Sequence, residues 1–156
     1  MKKENLLKLG FSIILPFLAS GIGSFFTARA IPGWYNTLVK PSFNPPNWIF
    51  GPVWSILYLL MGISLFIVWS AKVKNKVPAY WAFGIQLFLN ALWSVLFFGM
   101  NLPLAAFVGI IFLWFSIAVT IVLFFRISRK AAYLLLPYIF WVSFAALLNL
   151  MIVILN

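Results

Sequence analysis

The side chains that could carry chemistry in this sequence are indoles, phenols and amides, because the usual catalytic residues are almost absent. The 156 residues include eight Trp and five Tyr but no His, no Cys and one acidic residue, Glu4. Metal sites and acid–base catalysis built on His or Cys are therefore excluded. An ion-coupled transporter is also disfavoured, because such proteins keep ionisable residues deep inside their membrane spans.

Three of the tryptophans need a hydrogen-bond acceptor that lipid cannot supply. Trp93, Trp114 and Trp141 lie well inside long apolar runs, whereas Trp69 and Trp81 stand at the ends of such runs. Tryptophan at the end of a run is typical of the membrane interface. An indole N–H in hydrocarbon requires an acceptor on a neighbouring helix or on a ligand.

Polar and small residues recur in the same runs at a spacing of four, which places them on one face of a helix. The sets are Trp54, Tyr58 and Gly62; Gln86, Asn90 and Ser94; and Trp141, Ala145 and Asn149. At a rise of about 1.5 Å per residue, they converge in one half of a membrane. Two interpretations stay open: the amides join helices by hydrogen bonds, or the sets line a pocket for a flat, mostly apolar ligand.

The elements that must position these residues are five apolar segments, each long enough to cross a bilayer as a helix of about 20 residues. They cover residues 9–28, 53–71, 79–100, 104–125 and 131–155. The composition, 65% hydrophobic and 8% charged, is that of a membrane protein. The sequence therefore predicts an all-α integral membrane protein, a five-transmembrane-helix bundle that forms a single domain over residues 1–156.

Prolines indicate where these helices begin and bend. Pro52, Pro78 and Pro103 stand at or just before the first turn of a predicted span, where the missing N–H has no cost. Pro16 and Pro137 lie inside spans, so we expect kinks there.

Basic residues are distributed unequally between the two sides of the predicted bundle. If the spans alternate in direction, one side holds nine: Lys2, Lys3, Lys8, Lys72, Lys74, Lys76, Arg126, Arg129 and Lys130. The other side holds only Arg29 and Lys40. The positive-inside rule then predicts a cytoplasmic N-terminus in the cell membrane of a bacterium. The net charge of +10 thus reports topology and contact with the lipid bilayer, and no nucleic-acid partner is expected.

The first loop, residues 31–50, differs from the three short loops that follow. It contains four prolines, Pro32, Pro41, Pro45 and Pro46, and several aromatic residues, among them Trp34, Tyr35, Phe43 and Trp48. Disordered segments are poor in aromatic residues. A long loop of this composition is therefore expected to fold over the helix ends as a lid.

The first apolar segment has an alternative interpretation as a secretory signal. Lys2 and Lys3 precede it, and Ala28-Arg29-Ala30 resembles a cleavage site. The apolar stretch is longer than that of a usual signal, and four further spans follow it. We therefore expect it to be retained as a span.

The residues singled out above resemble the signature of the TspO/MBR family. The similar segments are Trp34-Tyr35, Lys40-Pro41, Pro45-Pro46, Trp48, Phe50 to Trp54, Tyr58 and Met61-Gly62, then Gln86-Leu87, Asn90, Trp93-Ser94 and Phe97-Phe98, and finally Pro137-Tyr138, Trp141, Phe144-Ala145 and Leu148-Asn149. They extend over essentially the whole chain. The family comprises the tryptophan-rich sensory protein of bacteria and the translocator protein, or peripheral benzodiazepine receptor, of mitochondria.

This resemblance implies a homodimer of five-helix bundles, each with a pocket closed by the first loop. It also implies binding of porphyrins such as protoporphyrin IX, of isoquinoline carboxamide and benzodiazepine ligands and, in animals, of cholesterol. The animal cholesterol motif needs a basic residue after Tyr, and no Lys or Arg follows Tyr138, so sterol recognition by that motif is not supported. The resemblance places Tyr35, Trp54, Asn90, Trp141, Ala145 and Asn149 in the pocket. The set on the second span adds Tyr58, and the tryptophans deep in the spans add Trp93.

Two functional hypotheses follow. The first is a receptor or carrier for a tetrapyrrole, with no cofactor of its own. The second is an enzyme that degrades the bound porphyrin in light, since the resemblance implicates Trp54 and Trp141 in such photochemistry. A purely structural bundle would leave the aromatic first loop unexplained.

Overall fold

The computed structural model describes residues 3–156, so Lys2 lies outside the described range, and every regular element within that range is helical. Five spans are long and apolar enough to cross a membrane, which confirms the predicted all-α five-helix bundle. In chain order the helices are α1 (Lys3–Ala30), α2 (Trp34–Thr37), α3 (Asn47–Ser70), α4 (Val77–Ser94), α5 (Pro103–Ile127), α6 (Arg129–Leu134) and α7 (Leu136–Leu155), and a π-helical turn (Val95–Gly99) extends α4.

The second span begins earlier than the hydropathy of the sequence indicates. Helix α3 starts at Asn47 and not at residue 53, directly after Pro46, whose backbone is extended (φ −56°, ψ 142°). Polar Asn47 is part of the helix, so an apolar run underestimates its length. The first loop is correspondingly shorter, residues 31–46, and Pro52 lies inside α3.

The two internal prolines have different effects. Helix α1 continues through Pro16 without interruption. The fifth span is interrupted, because α6 ends at Leu134 and α7 begins at Leu136, with Pro137 in its first turn. Proline has no N–H to bond the carbonyl four residues earlier and disfavours a helical residue before it. The expected kink at Pro137 is thus a break between two helices.

The order of packing leaves space at one end of the bundle. Helix α1 packs against α3 and α4, α4 against α5, and α5 against α7. Of the two parts of the fifth span, α3 packs against α6, at the start of that span, and has far fewer close backbone contacts with α7. Ser64 strengthens the α3–α6 contact by donating to the carbonyl of Ala131 at 2.7 Å. Helices α3 and α7 therefore diverge towards the end that carries the first loop.

Helix α1 approaches the backbone of α3 closely at Gly62. A Cβ atom on Gly62 would lie 2.8 Å from the Cα of Ile13 and 3.0 Å from the carbonyl oxygen of Ser12. Close backbone approach at a small residue is a usual way for membrane helices to pack. Gly62 is thus a crossing point with α1. Helix α1 packs against both α3 and α4 as part of the bundle.

Candidate ligand-binding site

A cavity of about 390 Å³ lies among α1, α3, α4 and α7, in the half of the bundle that carries the first loop. This volume is within the range typical of small-molecule sites, roughly 300–1,000 Å³. Seven of the eight residues selected from the sequence line it, namely Tyr35, Trp54, Tyr58, Trp93, Trp141, Ala145 and Asn149. Asn90 is outside the lining, as is Gly62, which was expected to share a face with Trp54 and Tyr58.

One wall of the cavity is a continuous set of aromatic rings. The Trp54 ring stacks on Tyr58, with centroids 5.6 Å apart and planes 27° apart, and lies 6.3 Å from the Trp93 ring. Trp93 in turn stacks on Phe97 at 5.7 Å. Rings from α3 and α4 therefore offer flat apolar surface, the kind that a planar ligand can contact over its whole face.

Two of the three deep indoles have protein partners. The Trp93 N–H donates to Asn149 Oδ1 at 3.1 Å, and the Asn149 amide donates to the carbonyl of Pro103 at 2.8 Å. Asn149 therefore lines the cavity while both ends of its amide are engaged, so it fixes the orientation of Trp93. The Trp114 N–H donates to Ser143 Oγ at 2.8 Å, away from the cavity.

The third deep indole is different. Trp141 lines the cavity between Phe50 and Phe144, with ring centroids at 6.1 and 5.6 Å. Among residues 3–156, no acceptor lies within hydrogen-bonding distance of its buried N–H. A buried donor without a partner costs about 1–3 kcal/mol, and an acceptor on a bound molecule would remove that cost.

Asn90 belongs to a buried chain of hydrogen bonds behind the cavity. The Tyr58 hydroxyl donates to Asn90 Oδ1 at 2.5 Å, and the Asn90 amide donates to the Tyr138 hydroxyl at 3.1 Å. Tyr138 then donates to Gln86 Oε1 at 2.9 Å. Asn90 and Gln86 thus join α3, α4 and α7, as in the helix-joining interpretation. Asn90 therefore positions the Tyr58 side chain, which lines the cavity, and is not itself part of the lining.

The first loop covers the end of the cavity. Tyr35, in α2, is buried against Phe98 at a centroid distance of 5.7 Å, and its hydroxyl donates to Asn44 at 3.2 Å. Burial raises the pKa of the Tyr35 phenol, and the hydrogen bond to Asn44 opposes that rise. The Lys40 ammonium lies 4.6 Å from the Tyr35 ring centre. Tyr35 is therefore a neutral hydroxyl held on the roof of the cavity.

The sequence analysis missed the contributions of α1 and of the π-helical turn. Helix α1 lines the cavity with small and weakly polar residues, namely Ser20, Gly23, Ser24, Thr27 and Ala28. Their spacing of three or four residues is a signal that could have been noticed. The π-helical turn, in which the Met100 N–H donates to the carbonyl of Val95, lets both Phe97 and Phe98 line the cavity. Such turns are frequent at functional sites.

The spans and the cavity together define a five-span membrane protein with an aromatic cavity in one half of its bundle. The sequence profile of the TspO/MBR family matches residues 12–155. The chain is 47% identical to the tryptophan-rich protein TspO of Archaeoglobus fulgidus, covering 97% of this chain and 99% of the relative. It is 45% identical to the tryptophan-rich protein TspO of Chlorobaculum tepidum (98% of each). It is 37% identical to the human translocator protein, covering 85% of this chain and 82% of the relative. The chain therefore belongs to the TspO/MBR family.

Proposed function

We propose that this protein is a membrane receptor or carrier that binds a porphyrin such as protoporphyrin IX in the cavity among α1, α3, α4 and α7. The observation that carries the proposal is a cavity walled by stacked aromatic rings, beside which the Trp141 N–H is buried without a partner among residues 3–156. The same cavity suits isoquinoline carboxamide and benzodiazepine ligands, which are also aromatic and largely apolar. The name of the human relative, translocator protein, is consistent with a carrier.

The residues have distinct parts in this proposal. Trp54, Tyr58 and Trp93 contact the face of the ligand, and Trp141 donates to an acceptor on it. Ala145 leaves room for the ring system, because a larger side chain at this buried position would enter the cavity.

Three further residues hold these groups in place. Asn90 holds the Tyr58 hydroxyl and Asn149 holds the Trp93 indole. Tyr35 closes the cavity from the first loop, which acts as the lid.

Binding can be tested by titrating the purified protein with protoporphyrin IX while following the quenching of tryptophan fluorescence. Ala145→Leu should weaken binding at least tenfold, about 1.4 kcal/mol, because the added atoms occupy ligand space. The matched control is Ala105→Leu at an exposed position of α5, which should bind as the wild type does. Wild-type affinity in Ala145→Leu would place the ligand elsewhere, and no quenching in the wild type would refute porphyrin binding.

A second candidate function is the light-dependent degradation of the bound porphyrin. The observation that favours it is that Trp54 and Trp141, the two indoles implicated by the family resemblance, both line the cavity. Indoles are readily oxidised side chains, and an excited porphyrin is an oxidant. Binding remains the primary proposal, because degradation requires binding first.

We also propose that the N-terminus is cytoplasmic, that the membrane is the bacterial cell membrane and that the protein is a homodimer. The unequal distribution of Lys and Arg supports the orientation, and family resemblance supports the dimer.

An alkaline phosphatase reporter fused after Asn156 should be active, since that enzyme functions outside the cytoplasm. A fluorescent reporter that matures only in the cytoplasm should not fluoresce when it is fused after Asn156. The reverse pattern would overturn the orientation, and a monomeric mass in mild detergent would overturn the dimer.

A further inference from the structure

The exposure of the residues that line the cavity depends on the helix to which they belong. On α4, the π-helical turn and α7 they are all buried or half-buried. On α1 and α3 several are exposed: Ser24, Ala28, Trp48, Gly51 and Ser55. The cavity therefore opens sideways, between α1 and α3.

Helices α1 and α3 are in close contact below this opening, and both present small side chains beside it. Below it, Gly62 meets the backbone of Ile13, and the Phe17 ring lies 6.1 Å from Tyr58. Beside the opening, the two helices present small residues at a spacing of four, namely Ser20 and Ser24 on α1 and Gly51 and Ser55 on α3. These side chains are too short to fill the space between the helices.

The end of the cavity under the first loop is closed by comparison. The Asn156 side chain bonds both backbone groups of Val39, accepting from its N–H at 2.9 Å and donating to its carbonyl at 3.0 Å. Tyr35 is buried and bonded to Asn44 within the same loop. A molecule that passed under the loop would have to break these contacts, whereas the side opening requires no bond to break.

We propose that the space between α1 and α3 is a lateral portal through which a flat, apolar ligand passes between the lipid phase and the cavity. Ser24 lies six residues from the end of α1, and Ser55 lies eight residues from the start of α3. At about 1.5 Å per residue, both lie roughly 9–12 Å below the helix ends, within the depth of a bilayer. The ligand is thus taken from the membrane, where an apolar ring system concentrates, and not from water.

The portal rests on the proposed function and is tested with protoporphyrin IX and protein reconstituted in lipid vesicles. Gly51→Leu should obstruct the portal without disturbing the fold, because a Cβ at Gly51 meets no atom within 4 Å. Association and dissociation rates, measured by stopped-flow tryptophan quenching, should both fall roughly tenfold, an added barrier of about 1.4 kcal/mol. Because Gly51 lies at the exposed mouth of the cavity, the diagnostic result is that both rates fall by the same factor, since an obstructed passage slows both directions equally.

Two matched variants complete the test. Gly84→Leu adds the same side chain at an exposed, equally open position of α4 that is outside the cavity lining, and both rates should stay at wild-type values. Asn156→Ala releases the first loop and should also leave both rates unchanged. If Asn156→Ala accelerates both rates while Gly51→Leu has no effect, the ligand passes under the loop and the portal is refuted.

A second result would also refute the portal. If Gly51→Leu weakens affinity through faster dissociation alone, Gly51 is part of the binding surface and not of a passage. These outcomes leave the proposed function intact, because the wild type still binds. Absence of porphyrin binding in the wild type would refute the proposed function itself, and the portal with it.

Discussion

Gly62→Ala is expected to lower the free energy of unfolding by about 1–3 kcal/mol, the usual cost of overpacking a close contact. The added Cβ would lie 2.8 Å from the Cα of Ile13 and 3.0 Å from the carbonyl oxygen of Ser12. These are backbone atoms, so no side-chain rotation can relieve the contact and α1 must move away from α3. Thermal denaturation in detergent, followed by tryptophan fluorescence, measures the effect.

The matched control is Gly84→Ala, at a position in α4 where a Cβ meets nothing within 4 Å. That variant should be at least as stable as the wild type, because alanine favours a helix over glycine by about 0.8–1 kcal/mol. Equal stability of the two variants would mean that α1 and α3 do not cross at Gly62. Because α1 also lines the cavity, Gly62→Ala should weaken protoporphyrin IX binding as well.

The second large effect concerns light. If the protein degrades bound porphyrin, Trp54→Phe and Trp141→Phe should each abolish the light-dependent loss of protoporphyrin IX, measured by its visible absorbance. The excited porphyrin takes one electron from an indole, which leaves an indole radical cation and a porphyrin radical anion, and dissolved dioxygen is the co-reactant that then consumes the porphyrin. Electron transfer falls steeply with distance, so only an indole on the cavity wall can serve. Phenylalanine keeps most of the apolar contact, so most of the affinity should remain.

Trp114→Phe is the control for this experiment. Trp114 is also deep in a span, but it bonds to Ser143 and is outside the cavity lining, so the variant should degrade porphyrin at the wild-type rate. No variant should consume porphyrin in the dark. Loss in darkness, or undiminished loss in the Trp54→Phe, Trp141→Phe double variant, would contradict the mechanism. A wild type that binds porphyrin without accelerating its loss in light is a receptor or carrier only.

The sequence by itself determined the number of spans and the residues that share a helix face. Lipid requires long apolar helices, so hydropathy alone located five spans. A spacing of four residues placed Trp54 with Tyr58, and Trp141 with Ala145 and Asn149, and each of these sets lines the cavity. Hydropathy did not locate the start of α3, because the helix begins at Asn47, directly after the extended backbone of Pro46, and not where the apolar run begins.

Only the tertiary structure decided what each of those faces meets. The spacing of four residues predicts that Gln86, Asn90 and Ser94 lie on one face of α4. In the structure, Asn90 lies behind Tyr58, while Ser94 lines the cavity. The spacing could not show that Gly62 meets α1 or that the acceptor of the Trp93 N–H is Asn149, on another helix. These facts depend on the angles and distances between helices, which are set by packing among residues far apart in the chain.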